Sequence, residues 1–130
     1  MAYNELYTGY FAKTKLYEKH DYTPVSVAGI TPDFFRGEKW SDFAPRKTFF
    51  SKWKKGELSN EEYGREYLKY LNTIPKEDIE ELRRITVEGR FVMCCYEKMG
   101  DFCHRHLLAA FLRKAYGFKV RELVIEERGK

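Results

Sequence analysis

The sequence predicts a small three-layer α/β domain, with a mostly parallel sheet flanked by helices. Three observations carry this. Short β-branched or apolar runs alternate with longer stretches of helical periodicity, in the order β-α-β-α-α-α-β-α-β. One of the short runs, residues 90–96 (RFVMCCY), is apolar on both alternating faces, which marks a central strand covered on each side. Strands separated by helices pair in parallel through crossover connections. The length of 130 residues and the 43% hydrophobic content suit one domain over residues 1–130 with a real core.

Residues 6–11 read as the first strand and residues 12–19 as a short helix. Residues 25–30 (VSVAGI) form the second strand, β-branched and closed by glycine. An aromatic, irregular segment follows from residue 31 to the Pro45 turn. A loop of that length in a compact domain is characteristically a lid or binding loop, here pinned to the core by Phe34, Phe35, Trp40 and Phe43. Pro45 suits the first turn of a helix that runs to residue 55 and stops at Gly56. Ser59 and Glu62 have capping-box spacing and open a helix with Tyr63, Tyr67, Tyr70 and Leu71 on one face. Pro75 opens another, with Ile79, Leu82 and Ile85 on its apolar side.

In the third strand Phe91, Met93 and Cys95 face one way, and Val92, Cys94 and Tyr96 the other. Asp101 is the expected N-cap of the next helix, which ends near Tyr116 with Gly117 in the left-handed conformation. On that helix Leu107, Leu108, Ala109, Phe111, Leu112 and Ala115 fill a wide apolar arc. His104 and Arg105 fall inside the arc, Cys103 at its border, and His106 on the solvent side. Residues 120–125 form the last strand.

Residues 93–106 (MCCYEKMGDFCHRH) hold all three cysteines and two of the three histidines. In parallel sheets, ligands bind beyond the carboxyl ends of the strands. This stretch lies there, with the loops after the first and second strands. Four readings compete. The first is an anion pocket with a reactive thiol: helix N–H groups and the Arg105 fork hold a phosphate or carboxylate, and the same field activates Cys103. Glu97 then serves as general acid or base, or anchors Arg105. The second is a metal site from Cys95, Glu97, Cys103 and His104 or His106. These ligand types suit zinc, but the spacing matches no CxxC or HxxxH pattern. The third is a redox pair of Cys95 and Cys103. The fourth is a brace, with Glu97 and Arg105 paired in the core and the cysteines as small packing residues.

The run CYEKMGDFCHRHLLAAFL resembles the signature of the domain of unknown function 488 family: a strand ending in C-x-E, a short loop, then C-H-R at a helix start. Cys95, Glu97, Cys103, His104 and Arg105 carry the match. LYTGYF, VSVAG, Phe43-Ala44-Pro45, EEYGREYLKYL and Arg121-Glu122-Leu123 extend it in order along most of the chain. The resemblance implies a small three-layer α/β fold and no settled activity. Some family members carry Asp-x-Arg after the first or second strand. VAGITP stands there in this chain, so the motif is either lost or its role passes to Arg36 or Arg46.

Two function classes follow. In the enzyme reading, Cys103, Glu97 and His104 are catalytic on a phosphate-bearing, nucleotide-like ligand. Arg105, Cys95, Thr8, Tyr10, Trp40 and Arg46 bind it, with Phe43 as a further wall and Lys47 as added charge. In the binding reading, the same pocket holds a nucleotide or nucleic-acid end without chemistry. Lys52-Trp53-Lys54-Lys55 and Arg83-Arg84 then serve as accessory contacts, although solvated helix faces explain both runs more simply. No metal or other cofactor is expected. The formal net charge of +4 permits an anionic partner without requiring one. No apolar run approaches the ~20 residues of a membrane span, and residues 1–11 lack the features of a signal peptide. The odd cysteine count argues against a disulfide framework. The expected location is a cytoplasm, the protein's own or that of a host.

Overall fold

The computed structural model describes residues 5–96 and 103–125. Four strands form one parallel sheet: β1 (Glu5–Tyr10), β2 (Thr23–Ser26), β3 (Phe91–Cys95) and β4 (Lys119–Glu122). Their order across the sheet is β2-β3-β1-β4. The central pair runs in register from Leu6 opposite Phe91 to Tyr10 opposite Cys95. The α/β class and the element order agree with the sequence reading. β2 is shorter than expected: after Ser26 the chain leaves the sheet, although the Val27 N–H still donates to the Cys94 carbonyl at 3.0 Å.

Helices cover both faces. After a short 3-10 turn (Phe11–Lys13), α1 (Thr14–Lys19) packs on one face, where Tyr17 and Phe11 meet Tyr7, Val92 and Cys94. On the other face lie α2 (Lys47–Lys54), α3 (Asn60–Leu71), α4 (Lys76–Ile85) and α5 (His104–Tyr116). Their apolar sides close over Leu6, Val25, Met93 and Val120. The strand parity predicted for residues 91–95 therefore holds, with Met93 in the larger core and Val92 and Cys94 in the smaller. The two faces follow from topology. The β1–β2 connection moves one way across the sheet, and the β2–β3 and β3–β4 connections move the other way. Right-handed crossovers place these on opposite faces. The loops of β1 and β3 thus diverge where Tyr10 sits opposite Cys95, the position at which such folds open a crevice.

Local signals explain the helix ends. The Ser59 hydroxyl accepts from the Glu62 N–H at 3.0 Å, and Glu62 accepts from the Ser59 N–H at 2.8 Å. This is the expected capping box, and it satisfies two donors at the start of α3. Gly117 closes α5 with φ 73°, a conformation that glycine adopts without steric cost. Tyr63, Tyr67 and Leu71 are buried, whereas Tyr70 is half-buried and donates from its hydroxyl to the Asp42 carbonyl at 2.6 Å.

Three expectations are corrected. The N-cap of α5 is Cys103, in extended conformation, and the helix begins at His104; Asp101 lies outside the described residues. The buried arc of α5 is narrower than expected. His104 and Arg105 are buried with Leu108, Ala109, Phe111 and Leu112, while Leu107 is half-buried and Ala115 exposed. In the aromatic loop, Phe35 packs edge-on against Phe11, Trp40 packs on Phe91 and Phe43 is buried. Phe34 pins nothing to the core, being 62% exposed. Backbone bonds hold the rest of that loop: Ser26 N–H to the Glu38 carbonyl at 2.8 Å, and Trp40 N–H to the Ser26 carbonyl at 2.7 Å.

Candidate functional site

Arg105 is the largest fully buried side chain, at 0% exposure. A buried guanidinium requires a partner of opposite charge and good geometry. It finds one in Glu122 on β4: Nε donates to Oε1 at 3.1 Å and Nη2 to Oε2 at 2.9 Å, a two-pronged pair. Thr8 on β1 donates its hydroxyl to the same Oε1 at 2.5 Å. Arg105 Nη1 reaches Cys95 Sγ at 3.0 Å, and the guanidinium lies 5.8 Å from the centre of the Tyr10 ring. Strand alternation explains the grouping. Thr8 and Tyr10 on β1, Cys95 on β3 and Glu122 on β4 lie on the sheet face that α5 covers.

Glu122 is the residue that the sequence reading missed in this role. It appeared there only inside Arg121-Glu122-Leu123. The signal was parity: Val120 and Glu122 alternate onto one face of the strand beside β1, opposite Leu6 and Thr8. Glu97, expected as the partner of Arg105, lies outside the described residues.

His104 opens α5 and is also buried, 5% exposed. Its Nε2 lies 2.7 Å from the Val27 carbonyl oxygen, and the Tyr67 ring meets it edge-on at 5.6 Å. A carbonyl can only accept, so Nε2 carries the proton and Nδ1 keeps a lone pair. Burial pulls the imidazole down to about 4, against the opposing pull of the Val27 bond. The ring is neutral at pH 7. Burial also lowers His106, with the Arg105 charge adding to it; this residue is half-buried rather than on the open solvent side.

The sulfurs of Cys95 and Cys103 lie at disulfide-bonding distance, 2.09 Å, joining the end of β3 to the start of α5. Both residues are buried, at 0% and 1% exposure. Cys94 points to the opposite face, free and buried, and burial pushes its thiol far above the usual range.

Beside this cluster is a cleft of about 850 Å³. Its floor includes Cys95 and His104. Its walls come from the chain after β2 (Ala28, Gly29, Ile30), from Tyr96 and from Phe50, and its rim from Ala44 through Lys47. Among the described residues, the charged ones along it, apart from the neutral His104, are Arg46, Lys47 and Lys54, all cations. Lys47 is the first residue of α2 and His104 the first of α5, and neither N-cap residue, Arg46 or Cys103, caps its helix with its side chain. Arg46 is partly engaged: it donates to the Ser41 carbonyl at 2.8 Å and lies 4.4 Å from the Tyr70 ring centre.

The predicted site residues therefore separate. Cys95, His104 and Arg46 line the cleft. Arg105 and Thr8 sit in the buried network below it, with Tyr10 beside them. Trp40 and Phe43 line a smaller depression with Asp78 and Glu81. Of the two basic runs, Lys54 reaches the cleft. Arg83 instead donates to the Tyr116 carbonyl at 2.6 Å, and Arg84 pairs with Glu81.

A family model described as "Active DUF488-N3 subclade" matches residues 18–116. The chain belongs to the DUF488 family. The matched span holds C-x-E and C-H-R together with every residue that lines the cleft. β1 and β4, which supply Thr8, Tyr10 and Glu122, lie outside it. Searches of curated proteins and of solved structures gave no match. Among the described residues of this DUF488 domain, no helix is long and apolar enough to cross a membrane.

Proposed function

We propose that the cleft binds a small phosphate-bearing anion of nucleotide type. One observation carries the reading: the first residues of α2 and α5 line one cleft whose charged lining residues, among those described, are Arg46, Lys47 and Lys54. Such helix starts present N–H groups and the positive end of the helix dipole, both favourable to phosphate. Ala28, Ile30, Phe50 and Tyr96 offer the apolar surface that a base would cover. Arg105 serves this site from below, by fixing the start of α5 to the sheet through Glu122, rather than by gripping the anion.

Catalysis is the second reading, favoured by the word "active" in the description of the matching subclade and by the presence of Cys95 and His104 on the cleft floor. Its residues are Cys103, Glu97 and His104. A neutral His104 with a lone pair on Nδ1 can accept a proton there.

Calorimetric titration with a panel of nucleoside mono- and diphosphates tests the binding reading. The wild type should bind at least one of them. The double variant Lys47→Glu/Lys54→Glu should bind it about tenfold or more weakly, since each exposed charge near a bound anion contributes up to about 1 kcal/mol. Equal affinity in the two proteins would refute it. Product formation with any panel member, lost in Cys103→Ser while binding survives, would establish the catalytic reading.

A further inference from the structure

We propose that Cys95, Cys103 and His104, once the cysteines are reduced, form a zinc site with one coordination position open to the cleft. Sequence spacing alone speaks against a metal, because no CxxC or HxxxH pattern is present. The fold supplies what the spacing does not. It brings the end of β3 against the start of α5, and the ligand atoms of these three buried residues all lie within 4.8 Å of one another.

Three further features suit zinc. The Cα atoms of Cys95 and Cys103 are 7.6 Å apart. That exceeds the roughly 4.4–6.8 Å over which a disulfide usually joins two residues, and two thiolates sharing a tetrahedral ion can span it. The Val27 carbonyl accepts a hydrogen bond from His104 Nε2–H, which leaves Nδ1 as the ligating nitrogen; histidine ligands characteristically donate their other N–H to such a group. Arg105 Nη1 donates to Cys95 Sγ at 3.0 Å and would stabilise that sulfur as a thiolate, with its own charge balanced by Glu122.

The chemistry balances. A small dithiol, or two molecules of a monothiol such as glutathione, delivers two electrons and two protons. The Cys95–Cys103 bond becomes two thiols, and the donor leaves as its disulfide. Zinc then displaces both thiol protons to solvent. Two thiolates offset its double charge. Among the described residues the ligands are two cysteines and one histidine, and such a set with its fourth position open is catalytic rather than closed and structural. Cys95 and His104 line the cleft, so the open position faces it and would take a water or a phosphate oxygen.

The test uses the full chain, reduced and then dialysed against cobalt(II) or zinc. About one metal per chain should remain after desalting, and the cobalt form should show the thiolate charge-transfer band and the strong visible bands of tetrahedral coordination. Cys94→Ser should retain both. Cys103→Ser and His104→Asn should lose most of the metal while keeping the wild-type far-ultraviolet circular dichroism. Zinc should raise the thermal midpoint of the reduced wild type but not of Cys103→Ser. No retained metal and no thiolate band in the reduced wild type would overturn the inference, as would undiminished metal binding by Cys103→Ser. These readouts need no phosphate ligand, so their failure leaves the anion reading standing and success does not depend on it.

Discussion

Arg105 and Glu122 are paired through two parallel hydrogen bonds, of 3.1 and 2.9 Å, with the arginine wholly buried and the glutamate side chain 16% exposed. The pair ties the first turn of α5 to the edge strand β4, and Thr8 adds a bond from β1. The consecutive elements α5 and β4 and the distant strand β1 are thereby fixed around the cleft floor.

Glu122→Gln removes the carboxylate that takes two of the hydrogen bonds of the buried Arg105 guanidinium. Breaking one side of such a pair costs about 3–5 kcal/mol, so Glu122→Gln should lower the unfolding free energy by roughly 3 kcal/mol in urea denaturation. Arg105→Met/Glu122→Leu, which removes both charges, should be markedly more stable than Glu122→Gln. A loss below about 0.5 kcal/mol in Glu122→Gln would show that the pair does not hold α5.

The class, the order of elements, the strand parity and the burial of His104 and Arg105 were all legible in the sequence. Each depends on local periodicity, which a single chain displays directly. The pairing of Arg105 with Glu122 was not legible: only the register of β4 against β1 brings Glu122 under α5. The exposure at the margins of α5 was hidden too. Leu107 lies at the edge of the apolar arc and Ala115 in the last turn, and a helical wheel does not show where the covering elements stop. The cleft likewise depends on how the segment after β2 folds beside α2, which no periodicity encodes.

Gly9 lies in the middle of the sheet against Tyr17. A Cβ there would come within 2.7 Å of the Tyr17 ring, and the ring is held, since its hydroxyl accepts from the Tyr10 N–H at 3.2 Å. Gly9→Ala should destabilise by about 1–3 kcal/mol through overpacking. Gly9→Ala in a Tyr17→Leu background should cost distinctly less, and equal costs in the two backgrounds would show that the tyrosine is not the obstacle.

The capping box sets a pH dependence. The Ser59 backbone and hydroxyl bonds hold the Glu62 carboxyl below its usual range. A glutamate lowered in the folded state stabilises it fully above its unfolded pKa of about 4.3. That contribution fades as pH falls through the folded value. Wild type should therefore be more stable than Glu62→Gln at pH 7, with the gap closing on acidification. A gap that widens toward low pH would contradict the assignment.

Salt separates a small anion from a nucleic acid at the cleft. Arg46, Lys47 and Lys54 are few charges, so the affinity for a nucleoside phosphate should fall shallowly with salt. A single-stranded nucleic acid that neutralises many phosphates loses affinity with a slope of about −0.7 per contact. A steep slope for oligonucleotides, together with no binding of mononucleotides, would favour the nucleic-acid partner.

The cleft reading is tested most directly by an anomalous-difference map from a crystal soaked in tungstate, a heavy analogue of phosphate. The account predicts one strong peak in the cleft, between the first turns of α2 and α5, within hydrogen-bond reach of backbone N–H groups and of Lys47 or Arg46. A well-soaked crystal with an open cleft and no peak there, or with tungstate only at other surfaces, would contradict it.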